Sequence, residues 1–520
     1  MCWSRSCCTP PPEWRRRRRS ACRPWRPPHD EGADVQLLRP TSLMRGFRAV
    51  ALAAVAALGA GCVTALPVER PEIRVPVPVE WTAAEVPAGE VGPDWWTDFG
   101  DDELNAAIET VLERNLDLRA AAARLEQAAA DARIASSALQ PTVQGSYSGS
   151  RRKQNFVGFP IPGAEDRVLS TVFTNQGISL DTTWEVDLWG RLRTTEQAAL
   201  ADLQRSAADL RGAQLSIAGQ TAKAWFAIAE AQQQVLLSEA TVESFGESVA
   251  RVRDRFESGV RPALDLRQAM LNLSNARADL AQRRQQLDAS TRQLEVLLAQ
   301  YAGADIAPPA DLPEMASAVP GGIPADLVAR RPDLVAAERQ VAASEARLRV
   351  ARRDLLPSFS LTVNTGTSTN TLRTLLNGDF AVWGLVGNVL APLWQGGRLR
   401  AQVSRAEALV AEVLASYVNT ALAAYAEVET ALAAEEYLAD RVVYLMTSVE
   451  QARAAERLAD ERYRTGLDTY ITVLDSQRSA FQAESQLIAA RRLRLENRVD
   501  LYLALGGGFE QLDSPIAMTN

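Results

Sequence analysis

From Arg191 to about Glu257 the chain runs without a proline, and apolar residues recur every seven positions at Leu203, Leu210, Ile217, Ala224 and Ala231. The pattern returns 207 residues later at Val410, Tyr417, Ala424, Ala431 and Leu438. A seven-residue period sustained this long predicts coiled-coil packing, and its alanines allow neighbouring helices to approach closely. At 1.5 Å per residue, about 66 residues of helix extend about 100 Å. No compact domain holds such a helix, so the chain must build something tall.

A second duplication surrounds two prolines. DARIASSALQP meets EARLRVARRDLLP at an offset of 216 residues, matching Arg133 with Arg349, Ile134 with Val350, Ala135 with Ala351, Leu139 with Leu355 and Pro141 with Pro357. Before each proline the apolar period is helical; after it, Val143, Gly145 and Tyr147, or Phe359, Leu361 and Val363, alternate with polar residues. Helix therefore gives way to strand at the proline. The fold is expected to consist of two related halves.

Four strands are expected, two in each half. Between Pro141 and Gly190 two strands flank a polar loop, RRKQNFVGFPIPGAED; the second pair covers about 358 to 369 and 380 to 394. In the strand before Gly190, Ile178, Leu180, Trp184, Val186 and Leu188 share one face, while Ser179, Asp181, Thr183, Glu185 and Asp187 share the other. The alternation fits the inner face of a soluble sandwich as well as the lipid face of a membrane barrel. In a barrel, Asp181, Glu185 and Asp187 would make the lumen acidic, or simply wet it.

Each long helix ends at a related turn, FESGVRPALDLRQAM or YRTGLDTYITVLDSQRS, again 207 residues apart. Gly259 and Gly466 supply left-handed helix ends, and a returning helix follows each. Further upstream, Asp101 or Asp102 is expected to cap a single helix carrying Leu104, Ile108, Val111, Leu112 and Leu118.

The N-terminal segment carries an export signal. From Met44, MRGFRAVALAAVAALGAGC has two arginines, an apolar run, small residues and then Cys62, the pattern of a signal peptide ending at a lipidatable cysteine. Leu58 stands one place earlier than the usual leucine, with Gly59 in its place. Residues 1–43, with WRRRRRS, read as an upstream start-site misassignment or a disordered tail. Prolines from Pro67 to Pro93 make 62–94 an extended linker from the anchor. The expected division is then 95–310 for the first half, 311–508 for the second and 509–520 for a tail. Without the first 61 residues, 45 basic residues face 60 acidic ones, a balance of −15 that disfavours nucleic acid.

The body is poor in reactive groups. All cysteines lie at or before Cys62, the one histidine is His29, and Lys153 and Lys223 are the only lysines. No phosphate-binding loop, dinucleotide fingerprint, nucleophile elbow or zinc motif is present, so neither catalysis nor a cofactor is expected. Acidic pairs such as Asp101/Asp102 and Glu435/Glu436 read as solvated faces.

DWWTDFGDDEL with NLDLRAAAARLEQA, LWGRLR, the paired glycine turns, RYRTGLDTYITVLDSQRSAFQAESQL and LALGGG together resemble the TolC family of outer-membrane efflux channels, in its OprM/NodT-like lipoprotein branch. The resemblance spans about 92 to 508. It implies an α+β membrane protein: a homotrimer with one twelve-stranded barrel, four strands per chain, continuous with a periplasmic α-helical barrel. It further implies partnership with a periplasmic adaptor and an inner-membrane pump of the resistance-nodulation-division class, and passive conduction of small molecules. A periplasmic coiled-coil scaffold lipoprotein without a pore is the alternative.

The resemblance also assigns residues. Asp475 falls at the periplasmic constriction, where three-fold symmetry makes it a ring; Ile471 matches an apolar ring, and Arg478 is a tether candidate. Thr472 stands where the family pattern has a second aspartate. Gly259, Gly466 and Tyr463 mark the helix-turn tips where an adaptor meets the channel.

Overall fold

A computed structural model of the chain describes residues 80–83, 91–156, 168–307, 309, 311–313, 319, 327 and 330–507. The signal peptide, Cys62, nearly all of the linker and the C-terminal tail lie outside the described residues. A short 3-10 turn, Trp95–Phe99, precedes α1 (Asp102–Arg114) and α2 (Leu116–Ser137). Strands β1 (Thr142–Phe156) and β2 (Leu169–Val186) lead into α3 (Arg191–Glu257), which returns as α4 (Ala263–Leu297). Helix α5 (Pro332–Arg353), strands β3 (Ser358–Thr369) and β4 (Ala381–Leu390), and helices α6 (Arg398–Arg464) and α7 (Tyr470–Ala504) follow.

The long helices α3 and α6 each have 67 residues, and the returning α4 and α7 each have 35. Starts and ends of both pairs are separated by 207 residues, 191 to 398 and 297 to 504 alike. Helices α2 and α5, of 22 residues each, are separated by 216. Left-handed glycines stand at the N-caps of the long helices, Gly190 at φ 74° and Gly397 at φ 83°. There the chain turns sharply out of the sheet, a conformation glycine adopts without a Cβ penalty.

The expected single helix after Asp101 is instead two. Asp101 caps α1, its Oδ1 accepting from the backbone N–H of Glu103 and of Leu104 at 3.0 Å each. Asn115 then takes an extended ψ of 133°. Its Oδ1 caps α2 through Asp117 and Leu118, and its Nδ2 donates to the carbonyl oxygen of Leu297 at 2.9 Å. A side chain that caps one helix and ties it to the end of another makes the break favourable.

The core lies where the N-terminal segment crosses the long helices. Trp95 stacks on Tyr502 with centroids 5.2 Å apart, and Phe99 meets Phe226 edge-on at 5.1 Å. The Tyr502 hydroxyl donates to Asp98 at 2.7 Å, and the Trp225 indole N–H donates to Asp101 Oδ2 at 2.8 Å. Burial, reinforced by Asp98, raises the Tyr502 phenol well above its ordinary value. These contacts explain DWWTDFGDDEL: its aromatic residues fill the core, and its two inward carboxylates satisfy the polar ends of buried rings.

The four strands form one antiparallel sheet in the order β1-β2-β3-β4. Strand β1 runs on to Phe156, so Arg151 to Phe156, expected in a loop, are paired with β2. A strand beyond the apolar band has no hydrophobic alternation to announce it, which is why these polar residues read as loop. Gly366 is required by packing, because a Cβ there would lie 2.0 Å from the carbonyl oxygen of Ile178.

Candidate functional site

The sheet has one apolar face that nothing covers in the single chain. Register places Val143 opposite Thr182, Tyr147 opposite Ile178, and Trp184 opposite Leu361. Phe359 in turn faces Val389, and Val363 faces Leu385. Leu180 is 47%, Val389 66% and Trp383 83% exposed. Contiguous exposed apolar surface of this extent marks a surface meant for an apolar partner. The opposite face of the first three strands is polar, with Gln144, Ser146, Asp181, Thr183, Ser360 and Asn364 among its residues. Aromatic side chains stand toward both ends of the apolar band, Tyr147 and Trp383 above, Trp184 and Phe359 below, as in the girdles of membrane barrels.

The three predicted lumen carboxylates are less free than expected. Asp181 accepts from Ser179 Oγ at 2.7 Å. Glu185 pairs with Arg191 at 2.8 Å, and Asp187 caps α3 by accepting from the backbone N–H of Leu192 and Arg193. Glu185 and Asp187 thus hold the strand-to-helix junction. A carboxylate facing a helix N-terminus is stabilised by the orphan N–H groups there, a use the sequence pattern does not reveal.

At the far ends of the long helices the two turns lie side by side. Gly259 at φ 74° and Gly466 at φ 81° are left-handed, as expected. Each turn closes with paired bonds, Gly259 N–H to Phe256 and Val260 N–H to Arg255, then Gly466 N–H to Tyr463 and Leu467 N–H to Arg462. This double closure is the Schellman motif.

Side chains of the first turn fasten the second. Arg255 donates to the carbonyl oxygens of Tyr463 at 3.0 Å and Arg464 at 3.1 Å, and Arg261 donates to that of Asp468 at 3.2 Å. The guanidinium carbons of Arg255 and Arg261 sit 4.6 Å and 5.1 Å from the centroid of the Tyr463 ring. Tyr463, a candidate for adaptor contact, is only 2% exposed and packs on Tyr470 at 5.6 Å. It joins the two turns, which sequence could not show because its arginine partners, Arg255 and Arg261, lie about 200 residues away. Burial, with Tyr463 adding to it, pushes the Tyr470 phenol up to about 12.

Comparison with known families decides the identity. A family described as outer membrane efflux protein matches residues 107–300 and again 323–507. The chain belongs to this family. It is the outer-membrane channel of an efflux system. Among relatives of this efflux protein, the pyoverdine export outer membrane protein OpmQ of Pseudomonas putida is 33% identical over 464 residues, covering 86% of this chain and 94% of its own. The toluene efflux pump outer membrane protein TtgC, also of Pseudomonas putida, is 32% identical over 475 residues, covering 88% and 95%. The solved structure of the outer-membrane channel OprN superposes with a TM-score of 0.77 at 29% identity, covering 85% of this chain and 99% of its own.

In the efflux protein, Ile471, Asp475 and Arg478 share one exposed face of α7, while Tyr470, Val473, Leu474 and Gln477 on the other face are buried. The i, i+4, i+7 spacing produces this stripe. Two contributors were not legible in the sequence. Asp468 accepts from Thr472 Oγ1 and the Thr469 N–H, each at 2.8 Å, and the Thr472 hydroxyl chiefly holds its carboxyl below the ordinary 3.8. Gln477, 4% exposed, donates to Ser244 Oγ at 3.1 Å and ties α7 to α3. Among the described residues no group of three or more His, Cys, Asp or Glu is arranged to hold a metal ion.

Proposed function

We propose that three copies of the chain close their four-stranded sheets into one twelve-stranded outer-membrane barrel, with α3 to α7 continuing it as a tube into the periplasm. The uncovered apolar face of the sheet carries this reading. It needs lipid outside, while the polar face lines water. Four strands cannot close a conducting barrel alone, and β1 and β4 leave free edges that successive copies would pair. Exposed Leu422, Tyr437, Val443, Tyr444 and Met446 on α6 likewise favour neighbouring copies along the helices. A non-conducting scaffold has no use for the sheet's apolar face.

At the closed end, Ile471 and Asp475 would form stacked apolar and acidic rings around the axis, with Arg478 one turn above. Opening requires the turns around 463 to 478 to move apart, a two-state change biased by a docked partner. Gly259 and Gly466 mark the tips where a periplasmic adaptor would dock, with the energy supplied by an inner-membrane pump of the resistance-nodulation-division class. Acylation at Cys62 would anchor the chain to the same membrane, 62–94 serving as tether. The halves 95–310 and 311–508 then act as two repeats of one hairpin unit, a division supported by the two matched family segments. Cargo choice would then lie outside the duct, a reading that relatives named for pyoverdine export and for toluene efflux support.

Single-channel conductance in planar bilayers tests the reading. Wild type should give small pores, and Asp475→Ala or Ile471→Ala larger ones. Monomeric protein that conducts in no variant would overturn it.

A further inference from the structure

The outer end of β1 carries three consecutive basic residues, Arg151, Arg152 and Lys153, all exposed. Because they are in a strand, their directions are fixed. Register sets Arg151 opposite Thr174 and Lys153 opposite Val172, on the face that carries Tyr147 and Ile178; Arg152, opposite Phe173, points to the polar face. Among the described residues none of the three side chains has an ion-pair or hydrogen-bond partner. Two cations therefore stand on the face that carries the apolar band, just beyond the band, beside Gln176, Thr174 and Val172.

Their height along the strand fits a headgroup. The apolar band on β2 runs from Val186 to Ile178, about 27 Å of strand, or about 20 Å of depth at the usual tilt. The Tyr147 hydroxyl, donating to Gln176, marks its upper edge. Arg151 lies four residues beyond Tyr147, about 10 Å higher after tilt, and its long side chain can reach back to the boundary. Lys153 stands next above it. Phosphate is the group of a lipid headgroup that such a cation pair binds best.

We propose that Arg151 and Lys153 form a docking site for the phosphates of an anionic glycolipid in the outer leaflet. The site rests on the barrel reading, since only a lipid-facing sheet turns these side chains toward headgroups. Three copies around the trimer would hold a ring of such lipids against the barrel. Arg152 takes no part.

The test places wild type, Arg151→Gln/Lys153→Gln and Arg152→Gln in nanodiscs of phosphatidylethanolamine with added lipid A, and measures lipid A retained per trimer by mass spectrometry. Each basic residue near an anionic surface contributes about fivefold in affinity, so the double variant should bind about 25-fold more weakly at low salt. The difference should shrink as salt rises. Arg152→Gln should match wild type. Unchanged retention in the double variant, or an equal loss in Arg152→Gln, overturns the site. Displacement by millimolar inorganic phosphate, but not by chloride of equal ionic strength, would make it a free-phosphate site and overturn the lipid assignment. Heat-modifiable trimer migration is read in parallel: its absence in wild type defeats the barrel reading and this site with it, whereas intact trimers with unchanged retention defeat only the site.

Discussion

Arg255 grips Tyr463 twice, its guanidinium carbon 4.6 Å from the ring centroid and its Nη1 donating to that residue's carbonyl oxygen at 3.0 Å. One side chain of the first turn thus fixes both the ring and the backbone of the second. The two helix hairpins of a chain, joined nowhere nearby in sequence, are fastened at their tips.

Arg255→Ala should loosen that joint. A cation over an aromatic ring contributes about 0.5 to 2 kcal/mol, and two carbonyl oxygens lose their donor as well. Higher single-channel conductance and faster proteolysis within residues 255–270 are expected. Arg255→Lys keeps the charge without the planar fork and should be intermediate. Wild-type behaviour in Arg255→Ala would show that the tips are held by something else.

Acid should act on the same turn through Asp468. Its folded-state pKa is depressed below 3.8, first by the Thr472 hydroxyl and then by the Thr469 N–H. The stability it lends is therefore present above the unfolded value and lost as pH falls through the folded one. Thermal melts of wild type and Asp468→Asn should converge below about pH 3.8. A constant gap down to pH 2 would refute the assignment.

Gly366→Ala should block assembly of the sheet. The new Cβ would meet the Ile178 carbonyl oxygen at 2.0 Å, and backbone cannot swing aside as a side chain can. Gly387, on the neighbouring strand, has nothing within 4 Å of the same position. Outer-membrane trimers should be lost in Gly366→Ala and retained in Gly387→Ala.

Asp101 serves two partners, capping α1 with Oδ1 and receiving the Trp225 indole N–H on Oδ2. Asp101→Ala removes a cap worth about 1 kcal/mol and strands a buried donor at a cost of about 1 to 3 kcal/mol, so about 2 to 4 kcal/mol in all. Thermal unfolding in detergent should report the loss, and Asp101→Asn should recover the cap.

Local chemistry decides which parts of this fold are legible in the sequence. The bounds of α3 and α6 follow from Gly190, Gly397, Gly259 and Gly466, because a left-handed residue leaves its mark in one position. The break at Asn115 was hidden, since an asparagine between two helical runs becomes a cap only when Leu297 is there to receive its amide. Strand character in Arg151 to Phe156 was hidden for another reason: pairing with β2 fixes it, and no apolar period accompanies it. Glu185, Asp187 and Tyr463 stand out in the sequence, but their roles depend on Arg191, a helix N-terminus and Arg255, which only the folded chain brings to them.

The exposed stripe of α7 gives the sharpest test of the proposed gate. Asp475 and Ile471 are exposed, and the Asp475 carboxylate has no hydrogen-bond or ion-pair partner among the described residues. Three such carboxylates around one axis would repel each other and attract multivalent cations, so cations added on the periplasmic side should block the pore. Asp475→Asn removes the charges at nearly constant volume and should weaken that block at least tenfold. Ile471→Ala widens the ring without touching charge, so conductance should rise while block persists. Asp181, already engaged by Ser179 on the sheet, should leave block unchanged when replaced by Asn. Equal block in Asp475→Asn and wild type would move the charge-selective constriction away from α7.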